Sequence, residues 1–169
     1  MPKMKNAKRK HFVAPWSSAT PTTEPSADAW KWLADGVTTA EVENDEETDD
    51  IAYYNGDGTK KTVVTSVKKG YSFEGDYIKE DAAQAIIAAM EFKTGDDRNV
   101  WFKVVESDGK TQYVGVATAS GIKIGGGEAS EYEGFEATIS WNTAPKQSAV
   151  VGGECEVRGV SIAPLFIFF

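Results

Sequence analysis

Phe135-Glu136-Ala137-Thr138-Ile139-Ser140-Trp141 sets an apolar side chain at every second position and a polar one between each pair. A period of two marks a strand with one buried face and one wet face. The same pattern recurs on moving outward along the chain. Tyr71, Phe73, Gly75 and Tyr77 alternate with Ser72, Glu74 and Asp76, and a β-branched run over 62–67 precedes them. Residues 100–106 and 111–118 flank Ser107-Asp108-Gly109-Lys110, which reads as a hairpin turn. A second turn signal, Asn55-Gly56-Asp57-Gly58, follows Tyr53 and Tyr54. Gly125-Gly126-Gly127 breaks the segment before residue 135. Pro145 and Gly152-Gly153 mark turns ahead of a last segment, 155–169.

One helix interrupts the strands. Ala83, Ile86, Ile87 and Met90 fall at i, i+3, i+4 and i+7, so their side chains form a single apolar stripe. Asp81 is placed to cap its start and Gly95 to end it. Pro15, Pro21 and Pro25, with the Ser/Thr content of 17–27, predict an extended loop that cannot be a central strand. Trp30 and Trp32 around Lys31 predict a short strand burying one aromatic face. The fold class is mainly β: a β-sandwich or barrel with one flanking helix at about 80–93, in a single domain over 1–169.

Charge narrows the function. With 26 acidic and 18 basic side chains, the formal net charge is −8. A DNA grip needs a clustered cationic excess, which this chain lacks. An acidic wall past which DNA slides stays compatible. The basic residues concentrate at 1–11, where Lys3, Lys5, Lys8, Arg9, Lys10 and His11 form an N-terminal arm, read as solvated or as a contact arm for acidic surface. Between 41 and 50 stand seven carboxylates, Glu41, Glu43, Asp45, Glu46, Glu47, Asp49 and Asp50. That density cannot be buried without neutralisation, so the segment is a long acidic loop or a strand facing water.

Catalytic chemistry finds little footing, and the expectation is no enzyme. His11 is the only histidine and lies in an arm expected to be mobile. A two-carboxylate hydrolase needs a cleft that separates two pKa values, which a solvated acidic run does not provide. Cys155 is the single cysteine, so no intrachain disulfide or cysteine zinc site forms, and the neighbouring Glu154 and Glu156 disfavour its thiolate. The oxygen ligands of 45–57 lack the spacing of a calcium loop, and the glycine trio lacks the Lys and Ser/Thr of a phosphate loop. No cofactor and no metal site is expected. No secretory signal and no bilayer-length apolar run is visible, which makes a cytoplasmic product the default. Leu165-Phe166-Ile167-Phe168-Phe169 nevertheless requires burial, in the core or between subunits.

Three stretches together resemble the major tail proteins of long, non-contractile-tailed phages, especially those of lactococcal-type siphophages. They are EVENDEETDDIAYYNGDGTKKTVVTSVKKG (41–70), YSFEGDYIKEDAAQAIIAAM (71–90) and GIKIGGGEASEYEGFEATISW (121–141). The resemblance rests on order and composition and covers roughly 37–141. It implies a β-sandwich with one flanking helix, the tail-tube fold. It also implies hexameric rings stacked into a tube that surrounds the tape-measure protein and conducts DNA during ejection. The partners implied are further copies of this chain, the tape-measure protein and tail terminator or initiator proteins, with DNA passing unbound and no membrane. The implied location is the virion, after assembly in the host cytoplasm. Within that picture Glu43, Asp45, Glu46, Glu47, Asp49 and Asp50 are candidates for subunit contacts or the lumen wall, and Lys5, Lys8, Arg9 and Lys10 for a contact arm. The alternative is a carbohydrate- or receptor-binding module of a virion or cell surface, using Trp16, Trp30, Trp32 or Trp141 as a platform.

Overall fold

The computed structural model describes residues 2–150. The last segment, 155–169, with its apolar end and Cys155, lies outside the described residues. Eight strands follow in chain order: β1 (Lys10–Pro15), β2 (Lys31–Trp32), β3 (Val37–Ile51), β4 (Lys61–Asp76), β5 (Asn99–Val105), β6 (Thr111–Ile124), β7 (Gly134–Trp141) and β8 (Lys146–Ala149). One α-helix, α1 (Ala82–Ala88), stands between β4 and β5. The described strands form one antiparallel sheet in the order β2-β1-β5-β6-β7-β4-β3. After β7, the strand β8 continues along the same side of β6.

Sheet-inward side chains fix the shape. In β7, Phe135, Ala137, Ile139 and Trp141 are buried while Glu136, Thr138 and Ser140 are half-buried, as the alternation requires. They meet Val13 of β1, Val100, Phe102 and Val104 of β5, Ala117 and Ala119 of β6, and Tyr71 and Phe73 of β4 in one core. Three strands separate β1 from β4 in the order, which in a flat sheet puts them roughly 19 Å apart at ~4.8 Å per step. Yet the His11 ring of β1 lies 4.8 Å from Tyr71 and 5.0 Å from Phe73, centroid to centroid. The sheet is therefore curled until its inner face closes on itself. Of the two arrangements the sequence allows, the barrel-like one forms, without a second sheet.

The helix plugs this curl. Asp81 caps it by accepting from the Gln84 amide at 3.0 Å. Ala83, Ile87 and Met90 turn into the core, with Ile86 packed against it. Met90 lies beyond the last helical turn, so the helix is shorter than 80–93. Arg98 ends the segment by donating to the Lys93 carbonyl at 2.6 Å and the Glu91 carbonyl at 2.8 Å. Gln84 is fully buried. Its amide donates to the Asp35 and Asp76 carbonyls at 2.8 and 3.1 Å and accepts from the Ile78 amide at 2.8 Å. One side chain thus satisfies three backbone groups where helix, β4 and the β2–β3 connection converge. At that connection Gly36 adopts φ +76°, and a Cβ there would collide with the Asp76 carbonyl oxygen.

A smaller cluster lies on the outer face. Ala14, Trp101 and Val114 are buried there beneath Trp16, Ala29 and Trp30, so the Pro-rich loop is a lid over the sheet. Trp32 does not bury an aromatic face: β2 is two residues long, and Trp32 is 52% exposed beneath the Lys10 ammonium. The N-terminal arm is also shorter than 1–11. Lys10 and His11 belong to β1, paired with Val105 and Val104. His11 is 7% exposed because its ring completes the aromatic cluster.

Burial, followed by the nearby Arg9 charge, lowers the His11 pKa from 6.5 to about 4. The folded value lies below the unfolded one, so the unfolded chain takes the proton first. Stability is level above about pH 6.5 and falls as pH drops toward 4, by about 3 kcal/mol from this group. Urea unfolding at pH 7 and pH 4.5 should show that loss in the parent and a shallower one in His11→Phe. Gln84→Leu strands three buried backbone groups and should lower stability by about 3 kcal/mol at either pH.

Candidate functional site: a two-stranded arm

The acidic run is a strand. All six candidates, Glu43, Asp45, Glu46, Glu47, Asp49 and Asp50, lie within β3, exposed, and the loop expected over 41–50 is not formed. Opposite stands a strand of complementary composition. β4 pairs with β3 along its length, setting Asp45 across from Lys68, Asn44 across from Lys69 and Ile51 across from Lys61. Alternation in β3 puts Glu41, Glu43, Asp45, Glu47 and Asp49 on one face. Val42, Glu46 and Asp50 share the other, which also carries Val67 and Val64 from β4.

Support from the rest of the sheet stops abruptly. β4 pairs with β7 only from Gly70 to Asp76. At Gly70 the backbones approach so closely that a Cβ would strike the Ile139 carbonyl oxygen and Ser140. Beyond it, 43–51 and 61–69 pair only with each other. They form a two-stranded arm roughly 30 Å long at ~3.3 Å per residue. Its tip is a turn with Gly58 at φ +84°, closed by the Gly56 amide donating to Tyr53 and the Thr59 amide donating to Asp57 Oδ1 at 2.9 Å. The Thr59 hydrogen bonds hold the Asp57 carboxyl below its ordinary pKa. Tyr53 and Tyr54 project from this turn into solvent, as do Val42, Val64 and Val67 along the arm.

The other candidates are distributed differently. Lys5 and Lys8 flank a 3₁₀ turn at Asn6–Lys8 and are exposed; Lys10 starts β1. Arg9 is half-buried and donates from Nη1 to the Tyr71 hydroxyl at 3.1 Å, a contact that the reading of a basic arm does not anticipate. The tryptophans of the binding-module reading are not brought together as a platform. Trp141 is in the core, donating to the Phe102 carbonyl at 3.2 Å, and Trp16 and Trp30 cover the outer cluster. Among the described residues no group of three or more His, Cys, Asp or Glu side chains could hold a metal ion. Among them, too, no helix is long and apolar enough to cross a membrane.

The arm has solvent on both faces and an unpaired edge on each strand. Isolated hairpins are marginal in water, and free edges are templates for another chain. In dilute protein, hydrogen exchange should be at least 100-fold faster for the amides of 43–51 and 61–69 than for those of β5 and β7. Equal protection in both regions would show that the arm needs no partner.

No family model matches this chain, and no curated protein matches it in sequence. Solved structures do. A subunit from the tail of an empty gene transfer agent particle, refined with C6 symmetry, superposes with a TM-score of 0.64 at 13% identity, over 87% of this chain and all of that one. A chain of the native gene transfer agent virion gives 0.59 at 13% identity, over 82% and 95%. The SPP1 tail tube subunit gives 0.57 at 12% identity, over 87% of this chain and 78% of that one. The chain has the fold of these tail subunits, the tail-tube fold.

Proposed function

We propose that this protein is the structural subunit of a phage tail tube, assembling as sixfold rings that stack into a hollow conduit. The observation that carries the reading is the arm: a long, solvated two-stranded ribbon on a fold shared with tail subunits. A ribbon that gains nothing in an isolated monomer gains backbone partners and buried valines when a second subunit meets it. C6 symmetry is a property of the gene transfer agent tail; a head-to-tail contact repeated about such an axis closes into a ring here too.

Charge supplies direction. Arms carrying a row of carboxylates repel one another, so each must dock on a surface of opposite sign. Lys5, Lys8 and Lys10 of a neighbouring subunit are the complementary group on this molecule. In this reading Glu43, Asp45, Glu46, Glu47, Asp49 and Asp50 make subunit contacts, and carboxylates left on the inner wall repel DNA phosphates so that DNA slides. The tape-measure protein would fill the tube before DNA, and terminator or initiator proteins would cap its ends. No catalytic role is assigned, and the likeness to lactococcal-type tubes is a further part of the proposal.

Negative-stain electron microscopy of dilute and then concentrated protein tests the assembly. Rings or hollow tubes are expected, and particles that stay small even with added tail initiator complex would refute it. Deleting residues 2–8, which leaves β1 intact, should weaken polymerisation at low salt by ten-fold or more in critical concentration and flatten its salt dependence. Unchanged polymerisation would remove the basic arm from the contact.

A further inference from the structure

The curled sheet does not close. Between the start of β1 and residues 37–42 of β3 runs a groove of about 670 Å³, floored by Tyr71 and bounded at one end by Trp32 and Leu33. Both walls are sheet edges. β3 is the last strand of the order, and β2 covers β1 only at Phe12 and Val13. Below that point the Leu33 amide donates to the His11 carbonyl, and no strand continues the pairing.

Two polar side chains inside the groove lack partners that their burial calls for. His11 Nε2 is buried and has no hydrogen-bond partner among the described residues. The half-buried Arg9 guanidinium reaches the Tyr71 hydroxyl, and among the described residues no carboxylate is at ion-pair distance from it. An extended backbone meets both needs. Its carbonyls accept from Arg9, and a peptide group can either donate to or accept from a neutral imidazole nitrogen. Its side chains would lie on Ala40, Val42 and Leu33, which line the groove.

We propose that the chain's own C-terminal stretch within 157–169 occupies this groove as an added strand, partly closing the sheet. The cross-strand row Lys10, Val105, Gln112, Ser148 shows where that stretch sets out. It leaves β8 three strands from the groove wall, roughly 14 Å at ~4.8 Å per strand. Residues 151–169 can span roughly 60 Å when extended. The stretch carries Val157, Val160 and Ile162, then Leu165-Phe166-Ile167-Phe168-Phe169, a run that water would drive into any apolar cleft. Tethering to β8 gives it an effective concentration on the order of millimolar, so it outcompetes the same stretch of another copy. This inference concerns the lone subunit and stands apart from tube formation.

The test uses the full chain with Cys155→Ser and Ala163→Cys, carrying a spin label on the new thiol, at concentrations where sedimentation shows a monomer. Amide signals of Thr39, Ala40 and Val42 should broaden by more than half, while those of Val63 and Val64 in the arm stay sharp. A sample mixing spin-labelled chains at natural isotope abundance with ¹⁵N chains bearing no spin label should show no broadening. Broadening only in the mixed sample would assign the groove to a second copy, and no broadening at 39–42 in either would leave it without this occupant. Either result overturns the proposal. As an independent readout, the chain ending at Val150 should exchange the amides of 38–42 at least ten-fold faster than the full chain. Should that variant fail to fold, the broadening pattern decides alone.

Discussion

An antiparallel sheet with one apolar face and no second sheet must bury that face against itself. Everything distinctive here follows from that requirement. The aromatic cluster of His11, Tyr71, Phe73, Phe102 and Trp141 holds the curl, with Phe102 and Trp141 5.1 Å apart and Tyr71 and Phe102 6.0 Å apart. Each ring also removes apolar area from water, and edge-to-face geometry adds roughly a kcal/mol per pair. Admitting an imidazole to this cluster ties the core's stability to its neutral form. Closing the curl leaves an end for α1 to plug, and Gln84 is the polar pin that fixes the helix there.

A sheet that curls short of full closure keeps its edges, and this molecule treats its edges in two ways. Along β3, residues 37–42 border the groove, while 43–51 leave the body as half of the arm. The change occurs where Gly70 makes its close approach to β7 and β4 loses its second neighbour. An exposed ribbon with free edges invites indiscriminate pairing; a row of carboxylates suppresses pairing between like arms and leaves docking on a basic surface open. The acidity that looks at first like mere solubility therefore works as selectivity, whichever partner meets the arm.

Short-range patterns made much of this fold legible. The alternation at 135–141 identifies β7 with the correct inward set, and Ser107-Asp108-Gly109-Lys110 marks the β5–β6 turn. Asp81 and the apolar stripe locate the helix because capping and amphipathicity are local. What stayed hidden depends on distant partners. Nothing inside 41–50 favours a strand; that segment is one because 61–69 pairs with it from across the turn. Trp32 looks like a core residue by alternation, yet it sits on a two-residue edge strand. His11 looks like part of a charged tail, and only the closure of β1 over β4 buries it. A signal did exist: His11-Phe12-Val13-Ala14 has strand composition directly after the lysines.

The division of β3 has a mechanical consequence. One continuous strand runs from the groove wall into the arm, so the arm's departure angle depends on how firmly residues 37–42 are held. On one side Phe73 and Tyr71 pair with Ala40 and Val42 and anchor them to the core. On the other side there is only the groove. Whatever fills that groove adds a second line of support to the arm's root, and a root held on both sides presents a narrower range of orientations. Docking a pre-oriented arm loses less conformational freedom than docking a swinging one. An occupied groove would thus favour association at the arm without touching the contact itself.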